Sequence, residues 1–202
     1  YVVGQGVTYP LVKVNMNTGA ATGLGPSGVW DQYPSGYATT SNALIKVGSR
    51  LYLAYENPPA GAFSGAAVAY TDDFGANWST TSITGNGRRL ATDGTNLFVA
   101  TATTLLSFDG TTSNTLNSMT YGSQALAYSA SQLCYAAGEN TASLASSPYS
   151  SWTNLWTSSI VPYAAAFVNG KCYFAGSGTK DQTYTVNSSW VVKWDMPPPS
   201  LS

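Results

Sequence analysis

Apolar residues in this chain recur in pairs of short stretches, joined by a tight polar turn and closed by an alanine. The phrase returns four times, as Ile45–Ala54, Leu90–Ala100, Leu126–Ala136 and Ala166–Ala175. Within each copy the apolar runs are too short for a helix, and no stretch sustains an apolar period near 3.6. The turns are Val47-Gly48-Ser49-Arg50, Asp93-Gly94-Thr95-Asn96, Ser129-Ala130-Ser131-Gln132 and Asn169-Gly170-Lys171. Asp-Gly and Asn-Gly are strong hairpin signals, because both tolerate the positive φ that a two-residue hairpin turn demands. Each copy therefore predicts two antiparallel strands, and the chain is expected to be all-β.

The closing alanines Ala54, Ala100, Ala136 and Ala175 stand 46, 36 and 39 residues apart. That spacing is the period of a β-propeller blade, a four-stranded antiparallel sheet of which the phrase supplies the first two strands. Third strands are expected near Gly65 to Tyr70, Thr104 to Phe108, Ala142 to Ala145 and Gln182 to Val186. Fourth strands are expected near Trp78 to Ile83, Thr115 to Met119, Trp152 to Trp156 and Trp190 to Trp194. The N-terminal Tyr1-Val2-Val3-Gly4-Gln5-Gly6 resembles Tyr173-Phe174-Ala175-Gly176-Ser177-Gly178, and both lead to a segment ending in Val-Asn.

One propeller domain over 1–202 results, with a partial blade at 1–35 and further blades at 36–87, 88–123, 124–163 and 164–202. Five blades are preferred and four are the alternative. A chain that begins at a second strand must take its innermost strand from elsewhere, either the segment after Trp190 or residues upstream of Tyr1. Residues 196–202 suit that role poorly, because prolines cannot donate to a ladder.

Charge narrows the function classes. Eight basic and nine acidic residues give a formal net charge of −1, and the basic ones are scattered apart from the Arg88-Arg89 pair, so no footprint for nucleic acid exists. No apolar run reaches the roughly 20 residues that span a bilayer, and with no signal peptide before Tyr1, any such segment is expected to have been removed already or never to have been part of this chain. Histidine is absent, which excludes a His-ligated zinc and a Ser-His-Asp triad. In the repeat, Cys134 aligns with Tyr52, Phe98 and Tyr173, while Cys172 aligns with Leu51, Leu97 and Leu133. One register apart, the two thiols are expected to point in opposite directions and to be small buried hydrophobes rather than a disulfide.

Between the third and fourth strands of the first full repeat lies Thr71-Asp72-Asp73-Phe74-Gly75-Ala76-Asn77-Trp78. It resembles the Asp-box, or bacterial neuraminidase repeat, in its hydroxyl, aspartate, glycine and tryptophan positions, with Asn77 where threonine is usual. The resemblance implies a structural role for Thr71, Asp73, Gly75 and Trp78. Ser147-Pro148-Tyr149-Ser150-Ser151-Trp152 keeps only the tryptophan. Two sequons, Asn77-Trp78-Ser79 and Asn187-Ser188-Ser189, would accept glycans only in a glycosylating host.

In a propeller blade the turns after the first and third strands share one face. The Asp-box should therefore point away from a ligand bound on the other face. That opposite face would carry Trp30, Asp31, Tyr33, Tyr37, Arg88, Arg89, Tyr121 and Tyr163 from connections between blades. Glu56, Phe63, Glu139, Lys180 and Asp181 would come from loops between second and third strands. Aromatic rings stack on sugar C–H faces while isolated polar groups bond hydroxyls, so the face suits carbohydrate. With 14 tyrosines and 6 tryptophans in the chain, simple packing between blades is the competing account of any one of them.

The expected function is a non-catalytic binding module, lectin-like or receptor-binding, of an extracellular, cell-surface or virion-surface protein. Its partner would be a carbohydrate or glycoconjugate receptor, with no nucleic acid, membrane insertion, metal or cofactor. The first rival is a structural subunit that binds copies of itself or neighbouring chains. The second is a sialidase-like glycoside hydrolase, but its arginine triad would need Arg50, Arg88 and Arg89 to converge, and Arg50 belongs to the opposite face.

Overall fold

The computed structural model describes residues 2–3, 11–24, 44–54, 65–119, 123–137, 141–156, 160–178 and 188–194. Every regular element among them is a strand, and the strands form five antiparallel sheets in chain order. The first sheet has β1 (Val2–Val3), β2 (Leu11–Val14) and β3 (Ala21–Leu24). The second has β4 (Leu44–Val47), β5 (Arg50–Ala54), β6 (Val68–Thr71) and β7 (Ser79–Thr80). The third contains β8 (Gly87–Thr92), β9 (Leu97–Thr101), β10 (Thr104–Phe108) and β11 (Ser113–Ser118). The fourth contains β12 (Ser123–Ser129), β13 (Gln132–Ala137), β14 (Thr141–Ser146) and β15 (Thr153–Trp156). The fifth has β16 (Ile160–Val168), β17 (Lys171–Gly178) and β18 (Ser188–Trp194).

Each repeated phrase forms the first two strands of a sheet, as its short apolar runs and turn chemistry dictate. The hairpin turns use positive φ at Gly48, at Gly94, at Ala130 and Ser131, and at Asn169 and Gly170. The expected third and fourth strands hold for the second, third and fourth sheets. The fifth sheet differs: β18 pairs directly with β17, so Ser188–Trp194 is its third strand, and the segment placed there from sequence, Gln182 to Val186, lies outside the described residues.

The N-terminal copy is confirmed in register and corrected in length. Val2 pairs with Val12 and Val3 with Leu11, as Phe174 pairs with Val192 and Ala175 with Val191. Leu11-Val12-Lys13-Val14 therefore corresponds to Val191-Val192-Lys193-Trp194, and not to a segment ending at Asn187. The sequence comparison matched a Val-Asn dipeptide, whereas the strands match by pairing.

The core lies between sheets, where the second strand of one meets the second strand of the next. Tyr52 and Ala54 of β5 face Leu97 and Val99 of β9. Phe98 and Ala100 face Leu133 and Tyr135 of β13, and Cys134 and Ala136 face Cys172 and Phe174 of β17. The first strands lie side by side, β8 against β4 and β12 against both β8 and β16. Gly87 is required where β8 approaches the second sheet, since a Cβ there would collide with the Ala67 backbone carbonyl and lie 3.2 Å from the Ala54 Cβ.

Cys134 and Cys172 form a disulfide, with Cα atoms 7.1 Å apart, which corrects the expectation of two separate thiols. The register alignment itself holds. Its consequence runs the other way: sheets stacked in series meet front to back, so residues that touch across an interface must leave opposite faces of their own sheets. A difference of one register is the condition for Cys134 to meet Cys172, just as it lets Phe98 meet Leu133.

Candidate functional site

The two ends of the sheets differ in chemistry. At one end lie the turns after first and third strands, where short Asx and hydroxyl side chains cap free backbone N–H groups. In the β6–β7 turn, Thr71 Oγ1 donates to Asp73 Oδ1 at 2.7 Å and accepts from the Gly75 N–H at 2.9 Å. Asp73 in turn accepts from the Asn77 N–H at 2.9 Å and from its side-chain amide at 2.6 Å. The Asn77 N–H, the Thr71 hydroxyl and the Asn77 amide hold the Asp73 carboxyl down at about 2, because each stabilises the ionised form. Phe74 and Gly75 both adopt positive φ, 59° and 102°, so the loop can reverse within a few residues.

Asp72 is engaged differently. Its two oxygens take a bidentate pair from Arg50, Nε at 2.8 Å and the second nitrogen at 3.0 Å, and the same guanidinium lies 4.0 Å from the Tyr70 ring centroid. The Arg50 hydrogen bonds lower the Asp72 carboxyl below its ordinary range. Thr71, Asp73 and Gly75 are thus tied to one another within the turn, while Trp78 is partly buried.

The same device recurs on this end. Asp93 accepts from the N–H groups of Thr95 and Asn96 at 2.8 and 2.6 Å, and Asp109 from those of Thr111 and Thr112 at 2.8 and 2.7 Å. Asn15 does so for Asn17 at 2.9 Å. All four aspartates among the described residues are therefore used in turns at one end. The β14–β15 turn lacks an acid and is held by packing: Tyr149, at φ 64°, sits edge-on to Phe98, and Trp152 Nε1 donates to the Leu116 carbonyl at 3.3 Å. Burial pushes the Tyr149 hydroxyl up to about 12, aided by nearby Tyr128 and Asp93.

The other end is where the sequence placed the ligand face. Trp30, Asp31, Tyr33, Tyr37, Glu56, Phe63, Tyr121, Glu139, Lys180 and Asp181 lie outside the described residues. Arg88, Arg89 and Tyr163 do not lie in connections between sheets, as the sequence suggested, but inside first strands, β8 and β16. β8 starts earlier than the apolar pattern because its opening residues Arg88 and Arg89 are polar, and β16 starts ahead of its repeated phrase, at Ile160. Arg89 is corrected further as an exposed ligand contact. It is 1% exposed, and its guanidinium donates to the Arg88 carbonyl at 2.8 Å.

Pairing registers reveal what the sequence did not. The partner count slips by one between Gly87 and Arg89, between Ser123 and Ala125, and between Pro162 and Ala164. Each slip lies opposite the closing alanine of the repeat, since Arg89 pairs with Ala100, Ala125 with Ala136 and Ala164 with Ala175. Arg88, Gln124 and Tyr163 are thus the extra residues of three equivalent β-bulges. Gln124 was not singled out from sequence, and counting back from the repeated alanine is the signal that would have found it. Among the described residues, no group of three or more Cys, Asp or Glu stands together as a metal would require.

No protein-family model matches the chain, and no curated protein resembles it in sequence. Solved structures do resemble it in shape. The computationally designed Ika4 protein superposes with a TM-score of 0.55 at 13% identity, over 78% of this chain and 93% of that one. A chain of the nidogen/laminin complex superposes with a TM-score of 0.57 at 15% identity, over 82% of this chain and 63% of that one. The hydrazine synthase of Kuenenia stuttgartiensis gives 0.53 at 14% identity, over 74% of this chain and 47% of that one. At these identities the likeness concerns the fold alone. Together with the serial stack of antiparallel sheets, it establishes an all-β, β-propeller-like fold.

Proposed function

We propose that this chain is a non-catalytic binding module, a five-bladed propeller with one blade per sheet. It recognises carbohydrate on the end of the sheets opposite the aspartate turns. The observation that carries this reading is the division between the two ends. One end spends its carboxylates on closing its own turns, with Asp73 and Asp109 on backbone N–H groups and Asp72 on Arg50. At the other, β8 opens Gly87-Arg88-Arg89 and β12 opens Ser123-Gln124, residue types that bond hydroxyls. The Asp-box resemblance fits the first role. The arginines favour a non-catalytic reading, because Arg50 pairs with Asp72 at the turn end while Arg88 and Arg89 enter β8 at the other. The Cys134–Cys172 disulfide accords with an oxidising, extracellular or particle-surface setting.

The test is a broad glycan-array assay on the purified chain beside a Trp30→Ala, Arg88→Ala double variant. Selective binding by the parent, lost in a folded variant, is the expected outcome. A folded parent that binds no glycan overturns the reading. The structural-subunit alternative draws on a separate observation. Met16, Phe74 and Val168, 90%, 55% and 50% exposed, all sit in or beside turns at the aspartate end, where contacts between chains would cover them. Light scattering across a concentration series reads that alternative directly.

A further inference from the structure

We infer that the Asn169-Gly170 turn is a site of spontaneous modification, in which Asn169 closes onto the Gly170 nitrogen, loses ammonia and becomes aspartate or isoaspartate. The site is independent of the carbohydrate reading. The Gly170 backbone nitrogen gives its proton to solvent base and attacks the Asn169 side-chain carbonyl carbon, the Cγ–Nδ2 bond breaks and ammonia leaves. Water then opens the cyclic imide at either of its carbonyls. The chemistry favours a following glycine, because no Cβ obstructs the approach of the nitrogen.

The chain contains two Asn-Gly pairs, Asn86-Gly87 and Asn169-Gly170, and the fold separates them. At the first, the Ala102 N–H donates to the Asn86 carbonyl at 3.0 Å, which holds the peptide plane whose nitrogen would attack. Gly87 is buried where β8 presses against the Ala67 backbone. At the second, Asn169 and Gly170 are both exposed and make up the whole loop between Val168 and Lys171, which pair across β16 and β17. Among the described residues nothing hydrogen-bonds the Asn169 side chain or the Gly170 N–H. A Cβ at Gly170 would meet nothing within 4 Å, so the space around the attacking nitrogen is open. The Asp-Gly pairs of other turns could form the same imide, but Asp93 and Asp109 are already engaged by the N–H groups two and three residues on. Isoaspartate would lengthen the main chain inside the turn that sets the Val168–Lys171 register, beside Cys172 and its bond to the fourth sheet.

The experiment incubates the native protein at mildly alkaline pH, digests timed samples under acidic conditions, and follows the amide-to-acid mass gain in the two Asn-Gly peptides. Asn169 is expected to convert at least about tenfold faster than Asn86, which must wait for its strand to open. The same chain unfolded in denaturant with reductant should convert both at similar rates. Asn169→Gly keeps the positive φ that the turn demands, and it should abolish the acidic species that ion exchange resolves in the aged parent. Equal rates at the two pairs in the native protein, or faster conversion at Asn86, overturn the inference. So does an Asn169 that stays intact under conditions in which the unfolded chain converts.

Discussion

The interface between the third and fourth sheets and the interface between the fourth and fifth occupy the same register positions with opposite chemistry. In the first, Phe98 and Leu133 face each other inside an aromatic cluster. Phe98 stacks on Tyr128 with centroids 5.4 Å apart, Tyr149 meets it edge-on, and Tyr135 meets Trp152 at 5.1 Å. In the second, Cys134 stands where Phe98 stood and Cys172 where Leu133 stood, with Ala125, Ala127, Ala136 and Ala142 beside the larger Leu155 and Phe174. Large rings cover the gap between two sheets by volume and dispersion. Small residues bring less contact area, and there a covalent bond spans the interface. Repeats with one backbone plan can thus be joined either way, provided the two positions leave opposite faces.

Removing one fastening at a time sharpens that comparison. The largest effect is expected from Phe98→Ala, which truncates a fully buried ring and should cost about 4 kcal/mol in denaturant unfolding. A loss below about 1 kcal/mol would show that the aromatic interface does not carry its side of the comparison. Next is the Cys134→Ala, Cys172→Ala double variant. Opening a crosslink of sequence separation 38 should cost about 3 kcal/mol, and reductant should reproduce the loss in the parent but not in the variant. Smaller still, Trp152→Phe keeps most of the ring but loses the bond to the Leu116 carbonyl, a change of about 1 kcal/mol by thermal melting.

Acid probes a region outside both interfaces, whose cores contain no carboxylate. Asp73 is depressed from 3.8 to about 2, so its contribution is fully present above about 4 and fades as pH falls through about 2. Amide exchange at Gly75 and Asn77 should therefore accelerate, relative to intrinsic rates, across that window. Exchange at Val99 and Leu133, in the core strands, should hold. Equal loosening at both places would mean that the turn and the interfaces unfold as one unit.

The legibility of the chain followed the same division between local and distant causes. The β6–β7 turn was readable because its hydrogen bonds join residues a few positions apart, so that Thr71, Asp73, Gly75 and Asn77 announce it in sequence. The place of the β14–β15 turn followed from its expected strands but its fastening did not, since Tyr149 and Trp152 are secured by Phe98 and Leu116, which are distant in the chain. The ligand end was misread at Arg88 and Arg89, because polar opening residues hid the true start of β8. Gln124 escaped notice since nothing in its own neighbourhood marks a bulge.

By itself the sequence determined the all-β class, the period of the sheets, the first hairpin of each repeat and the relative parity of the two cysteines, because short apolar runs and turn chemistry act over a handful of residues. Only the tertiary structure decided which faces meet. Parity says that Cys134 and Cys172 point to opposite sides of their own sheets. Whether those sides face together or apart depends on how successive sheets stack, a relation between segments nearly 40 residues apart that no local pattern encodes. The bulges belong to the same class, since a bulge is defined by a partner strand and exists only once two strands have paired.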